Sequence, residues 1–149
     1  MRDFIPIARP VIGSEEIEAV GAVLHSGMLT QGESVREFEE AFSRYIGVKN
    51  SVAVSNGTVA LDMALKALDL HQGDEVISPA FTFIATANSV VYQGLKPVFV
   101  DVDRRTFNID PEDLKTKITP HTKAVIGVHL YGQPFDLKEV KRCLFNVAL

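Results

Sequence analysis

Residues 73–102 read GDEVISPAFTFIATANSVVYQGLKPVFVDV, and this stretch decides the fold. Gly73-Asp74 marks a turn, and Glu75-Val-Ile-Ser78 is a short β-prone run. Phe81 to Gln93 reads as a helix ended by Gly94, and Pro97-Val-Phe-Val-Asp-Val102 is the next β-prone run. A strand, a helix and a strand at this spacing form a βαβ unit, the connection that parallel strands require. Upstream, Ser51-Val-Ala-Val-Ser55 predicts another strand, followed by a helix with Leu61, Ala64, Leu65 and Leu68 on one face. Downstream, Asp110 caps a helix with Pro111 at its first position, Thr119-Pro120 makes a turn, and Ala124–Leu130 is a fourth strand. A last helix begins at Phe135. Three of these strands are apolar runs rather than in-and-out alternations, the pattern of parallel strands covered on both faces. An open doubly wound α/β sheet is expected.

The first 47 residues differ in texture. Ile17, Val20 and Leu24 recur at helical spacing, with Ser14 placed to cap them. Gly27-Met-Leu-Thr-Gln-Gly32 breaks the pattern as a loop, and Ser34 with Glu37 has the spacing of a capping box. The second helix would turn Val35, Phe38, Phe42 and Tyr45 inward and stop at Gly47.

Composition narrows the function classes. The 149 residues are 46% apolar and 23% charged with a net charge of −4, which excludes a disordered chain. Fifteen basic residues against nineteen acidic ones, without a basic run, predict no nucleic-acid partner. No apolar run approaches the ~18 residues of a membrane span, and MRDFIPIARPVIG lacks a signal-peptide core. A single Cys143 fits a reducing compartment, so a cytoplasmic protein is expected. His25, His71, His121 and His129 lack metal-ligand spacing, and no metal site is predicted.

In such sheets ligands bind beyond the carboxyl ends of the strands. At Ser55-Asn56-Gly57-Thr58, Gly57 permits close approach, Thr58 brings a hydroxyl, and first-turn N–H groups point outward, as a phosphate cradle requires. The commoner use of such residues is an ordinary βα turn with a capping Thr. Phe81 and Phe83 follow the next strand, where an aromatic can stack on a planar ring, although most Phe residues face the core. Asp101 and Asp103 suit solvated or helix-capping acids better than a metal site. His129 could orient a ligand or move a proton, or simply be hydrogen-bonded in place. Neither G-x-G-x-x-G nor a Walker loop occurs.

The blocks Gly27-Met-Leu-Thr-Gln-Gly32, Phe38-Glu-Glu40, Ser55-Asn-Gly-Thr-Val-Ala-Leu61, Gly73-Asp-Glu-Val-Ile77, Thr82-Phe-Ile-Ala-Thr-Ala-Asn88, Pro97-Val-Phe-Val-Asp-Val-Asp103, Asn108-Ile-Asp110 and Val128-His-Leu-Tyr-Gly-Gln133 occur in this order. From about Phe4 to about Val140 the series resembles the N-terminal part of the DegT/DnrJ/EryC1/StrS family of pyridoxal-phosphate-dependent sugar aminotransferases. The resemblance implies an aspartate-aminotransferase-like α/β large domain (fold type I), incomplete, with a mostly parallel sheet and flanking helices. Residues 1–47 would form a helical arm and 48–149 part of the cofactor-binding domain. It further implies amino transfer from L-glutamate or L-glutamine to a nucleotide-linked keto sugar, as in polysaccharide biosynthesis, by a homodimer. Gly57 and Thr58 would hold the phosphate of pyridoxal 5'-phosphate and Phe83 would stack on its ring. Gly27, Met28, Leu29 and Thr30 match the loop that contacts the sugar nucleotide.

The family's Schiff-base lysine and its pyridinium-pairing acid fall in blocks that these 149 residues lack, and no lysine present lies in that motif. No catalytic residue is therefore assigned, and an N-terminal fragment inactive alone is expected, from truncation, frameshift or excision. After Val140 the sequence loses the polar face expected before another strand. Two other readings stay open: a dehydratase of the same family, and a non-catalytic remnant serving as an interaction module.

Overall fold

Three parallel strands, β1 (Glu75–Pro79), β2 (Lys96–Val100) and β3 (Thr122–Val125), form a sheet in the order β2-β1-β3 in a computed structural model that describes residues 4–6 and 8–145. The chain divides into two units, residues 1–53 and 54–149. In the second unit β1 pairs with β2 from Glu75↔Lys96 to Pro79↔Val100, and with β3 through Val76↔Ala124 and Ile77↔Val125. All five residues of β1 are buried. Neighbouring side chains leave a strand on opposite faces. Val76 accordingly meets Leu65, Val90 and Leu95, while Ile77 meets Val100, Ile109, Leu114, Val140 and Cys143. Each such aliphatic side chain taken from water stabilises the fold by about 1.5–3 kcal/mol.

The helices follow from local chemistry with two corrections. α3 (Gly57–Lys66) is capped by Asn56, whose side chain accepts from Val59 N–H. α5 (Pro111–Lys117) is capped by Asp110 with Pro111 first, as the sequence predicts. α1 (Ser14–Ser26) starts one residue earlier than a Ser14 cap would allow: Gly13 is the cap, and its N–H donates to the Glu16 carboxylate at 2.6 Å. α2 (Glu33–Ile46) is capped by Gly32, so Ser34 lies inside the first turn and the Ser34–Glu37 box does not form. Gly47 ends α2 at φ 77°, the left-handed value that favours glycine.

Three further expectations are corrected. Ser51–Ser55 carries no strand pairing; the Ala53 N–H is taken by the Glu39 carboxylate at 2.7 Å, so this run has no ladder to join among the described residues. The helix expected from Phe81 is α4 (Ala85–Tyr92), because Phe81–Ile84 spend their backbone in a turn. Phe38, Phe42 and Tyr45 are exposed rather than inward, since α2 alone offers them only each other: the Phe38 and Phe42 rings lie 5.9 Å apart. α6 (Leu137–Phe145) begins two residues after Phe135 and keeps a polar face through an Arg142–Glu139 ion pair at 2.8 Å, while Val140 and Cys143 are buried.

Two contacts secure the sheet. At its amino edge the buried Glu75 carboxylate accepts from Lys96 Nζ at 2.8 Å and from Thr119 Oγ1 at 2.6 Å, tying β1 to β2 and to the turn before β3. The Lys96 and then the Thr119 hydrogen bonds hold this carboxyl below the usual range. At the other edge, Gly127 faces the Phe135 ring so closely that a Cβ would overlap it.

A carboxylate with a depressed folded-state pKa contributes stability above its unfolded value, about 4.3, and loses it as pH falls through the folded value. Glu75→Gln is therefore expected to lower stability at pH 7 by about 1–2 kcal/mol and to flatten the acid limb of melting temperature against pH below about 5. Gly127→Ala is expected to cost about 1–3 kcal/mol in denaturant unfolding by overpacking, and Phe135→Leu in the same chain to recover part of it.

Candidate functional site

The carboxyl edge of the sheet collects the loops that follow β1, β2 and β3. α3 packs against α4, and its amino end carries Gly57 and Thr58. There Gly57 is exposed and nothing lies within 4 Å of where a Cβ would stand. The Gly57 and Thr58 N–H groups precede the helical ladder and have no acceptor among the described residues. Free first-turn donors and the positive end of the helix dipole suit an anion. Thr58 itself is half-buried.

After β1, the Ala80 N–H donates to the Val100 carbonyl at 2.9 Å and the Thr86 N–H to the Phe83 carbonyl at 3.0 Å, which turns the chain sharply into α4. That turn leaves Phe81 52% and Phe83 73% exposed. The core placement that base rates favour for a Phe is thus overturned for both: β1 buries its residues only as far as Pro79. Phe81 and Phe83, with Thr82, His129 and Tyr131, line a cleft of about 390 Å³.

His129 is held in place. Its Nδ1 accepts the Phe135 N–H at 3.2 Å, and its ring stacks on Phe135 with centroids 4.8 Å apart at 18°. A ring nitrogen that accepts carries no proton, so neutral His129 keeps its proton on Nε2. The acids after β2 build turns. Asp103 Oδ1 accepts from the Thr106 N–H, the Thr106 hydroxyl and the Arg105 N–H, which hold this carboxyl below its ordinary range. Asp101 accepts the Val102 N–H at 2.8 Å. Among the described residues no group of three His, Cys, Asp or Glu side chains could hold a metal ion.

One organising residue is only faintly marked in the sequence. Asn108, buried, donates from Nδ2 to the Gln133 carbonyl at 3.0 Å and accepts the Leu130 N–H at Oδ1 at 3.2 Å. It joins the loop after β2 to the loop after β3. Its only signal in sequence is its place in Asn108-Ile-Asp110, just before a helix cap.

Gly27, Met28, Leu29 and Thr30 belong to the first unit. Gly27 ends α1 at φ 73°, the Met28 N–H donates to Ser26 Oγ at 3.2 Å, and the Leu29 N–H to the Gly27 carbonyl at 3.2 Å. Met28, Leu29 and Thr30 line a largely apolar groove of about 600 Å³ with Ala19, Val23 and Val35. Gly57, Thr58 and Phe83 all belong to the second unit, the first two at the start of α3 and Phe83 on the turn after β1.

The comparisons with known proteins agree with this architecture. The profile of the DegT/DnrJ/EryC1/StrS aminotransferase family matches residues 10–146, past the Val140 limit expected from sequence blocks. The spore coat polysaccharide biosynthesis protein SpsC of Bacillus subtilis is 46% identical over 146 residues, covering 98% of this chain and 38% of its own length. The aminotransferase from Psychrobacter cryohalolentis superposes with a TM-score of 0.88 at 41% identity, over 97% of this chain and 37% of that one. An E. coli GDP-4-keto-6-deoxy-D-mannose-3-dehydratase with bound hydrated pyridoxal phosphate gives 0.89 at 35% identity, over 97% and 39%. This chain thus spans under two fifths of these relatives' lengths, and its α/β architecture is that of pyridoxal-phosphate aminotransferases. By sequence and by structure, the chain belongs to the DegT/DnrJ/EryC1/StrS aminotransferase family.

Proposed function

We propose that this chain provides the phosphate- and ring-holding walls for amino transfer from L-glutamate or L-glutamine to the keto carbon of a nucleotide-linked sugar. The observation that carries the reading is the exposed Phe83 on the turn after β1, supported by the open first turn of α3. The residues present suit pyridoxal 5'-phosphate: the Gly57 and Thr58 N–H groups and the Thr58 hydroxyl for its phosphate, and the Phe83 face for its ring. When bound, the cofactor supplies the electron sink that the protein itself lacks. Gly57 admits the phosphate to the backbone because it has no Cβ. Asn56 keeps the first turn in register by accepting from Val59, leaving the two preceding N–H groups free. Phe83 covers one ring face and keeps water from it. His129, locked by Phe135, stands in the same cleft with its Nε2–H unclaimed among the described hydrogen bonds and offers a fixed donor.

On this reading Gly27, Met28, Leu29 and Thr30 contact the sugar nucleotide, and the exposed apolar residues Ile17, Val20 and Leu24 of α1 support a homodimer. The protein would work in the cytoplasm, in keeping with its single, buried cysteine. The Schiff-base lysine and the pyridine-pairing acid are not supplied by these residues. The dehydratase reading shares the same walls, and the E. coli dehydratase superposes as well as the aminotransferase does, at 35% against 41% identity.

Titration of the chain with pyridoxamine 5'-phosphate, which has the ring and phosphate but no aldehyde to react with lysines, tests the reading by calorimetry. Saturable binding is expected, weakened about threefold to tenfold by Phe83→Ala, the scale of an aromatic stacking contact, and similarly by Thr58→Val. Binding indifferent to both substitutions would overturn it. With pyridoxal phosphate and L-glutamate the chain alone is expected to transfer no amino group; transfer would sink the assignment of the lysine to another segment.

A further inference from the structure

Two bulky residues at the carboxyl edge have left-handed backbones, Phe107 at φ 57° and Tyr131 at φ 50°. Aromatic L-residues rarely take this conformation, and where they do the surrounding structure must impose it. Both lie beside Asn108. Phe107 immediately precedes it, and its N–H donates to the Asp103 carbonyl at 2.8 Å. Tyr131 sits inside the turn that Asn108 grips at both ends, through the Leu130 N–H and the Gln133 carbonyl. That turn is closed further by Gly132 N–H to the His129 carbonyl and Gln133 N–H to the Leu130 carbonyl, at 3.1 and 3.0 Å.

The strain is not relieved by burial of the ring. Tyr131 is 91% exposed, yet it lines the Phe81–Phe83 cleft and, with Phe81 and Phe107, an adjoining one of about 360 Å³. A tyrosine ring held out into water on a strained backbone contributes little to stability, so its position calls for another use.

We infer that Asn108 is a positioning residue: by gripping both ends of the 130–133 turn it holds Tyr131 in the wall of the cleft that Phe83 also lines, so that a flat ligand meets two aromatic side chains there. The ligand half of this inference rests on the reading of Phe83 as the ring-stacking residue; the grip itself does not. Asn108 touches no ligand on this account. It acts through Tyr131, and that is what separates it from a merely structural asparagine.

The test is a double-mutant cycle on the full chain, with pyridoxamine 5'-phosphate affinity by calorimetry and amide exchange of Leu130, Gly132 and Gln133 by NMR. Asn108→Ala is expected to speed exchange at those three amides and to weaken binding about fivefold, the scale of coupling between neighbours. Tyr131→Gly, which is at ease at positive φ, is expected to weaken binding similarly while leaving exchange slow. Asn108→Ala added to Tyr131→Gly is expected to cause no further loss of affinity. Should Asn108→Ala fail to fold, Asn108→Ser takes its place in the cycle. Additive losses, or binding that depends on Phe83 but not on Asn108, would overturn the inference and leave the cofactor reading standing. A chain that binds no probe, or binds it equally with Phe83→Ala, overturns the cofactor reading and this inference with it.

Discussion

β1 lies between β2 and β3 with helices over both faces, and everything at the carboxyl edge is placed by that one strand. A strand buried on both faces cannot shift its pairing by one residue without exchanging Val76 and Ile77 between two separate cores. Register is therefore held by packing. The loop that follows begins at a fixed point, after Pro79, where burial ends and Phe81 and Phe83 emerge. The same strand is anchored at its start by the Glu75 carboxylate, which reaches both neighbours of β1. Lys96 is largely exposed, so its Coulomb attraction is screened, and the hydrogen bonds of the buried carboxylate matter more than the ion pair as such.

The edge where ligands are proposed to bind is stiffened differently. Its loops carry few aliphatic contacts and are shaped by polar groups that satisfy backbone donors: Asp103 for the turn after β2, Asn108 for the turn after β3, Asn56 for the start of α3. Asn108, the buried one of the three, specifies one geometry, because any other arrangement leaves a donor or acceptor unpaired. Phe135 adds a close apolar contact, wedged against Gly127 and stacked on His129. Rigid backbone beneath exposed aromatic rings is what a site needs if it is to receive a planar ligand without first ordering itself.

The first unit has a different balance. No residue of α1 is buried, and Phe38, Phe42 and Tyr45 stand out from α2. Its internal order comes from the Ser43–Ser51 hydroxyl pair at 2.7 Å, the Glu39 bond to Ala53, and Arg36 held between Glu33 and Glu40. Exposed i, i+3 and i, i+4 ion pairs of this kind each contribute only about 0.2–0.5 kcal/mol.

What the amino-acid sequence determined by itself was whatever depends on neighbours within a few residues. The Asp110-Pro111 start of α5, the glycine stops after α1 and α2, and the order of strands and helices around residues 73–102 were legible because caps, turns and periodicity act locally. Tertiary structure decided the rest. Ser51–Ser55 has strand composition but no strand, because a ladder requires a partner that composition cannot supply. Phe81 and Phe83 are in residue type ordinary core residues; only the end of burial at Pro79 turned them outward. Asn108 is one polar residue among many until chain segments more than twenty residues apart bring Leu130 and Gln133 to its two ends. Hydrogen bonds across such separations leave no periodicity behind, so neither the Asn108 contact nor the left-handed Tyr131 beside it could be read in advance.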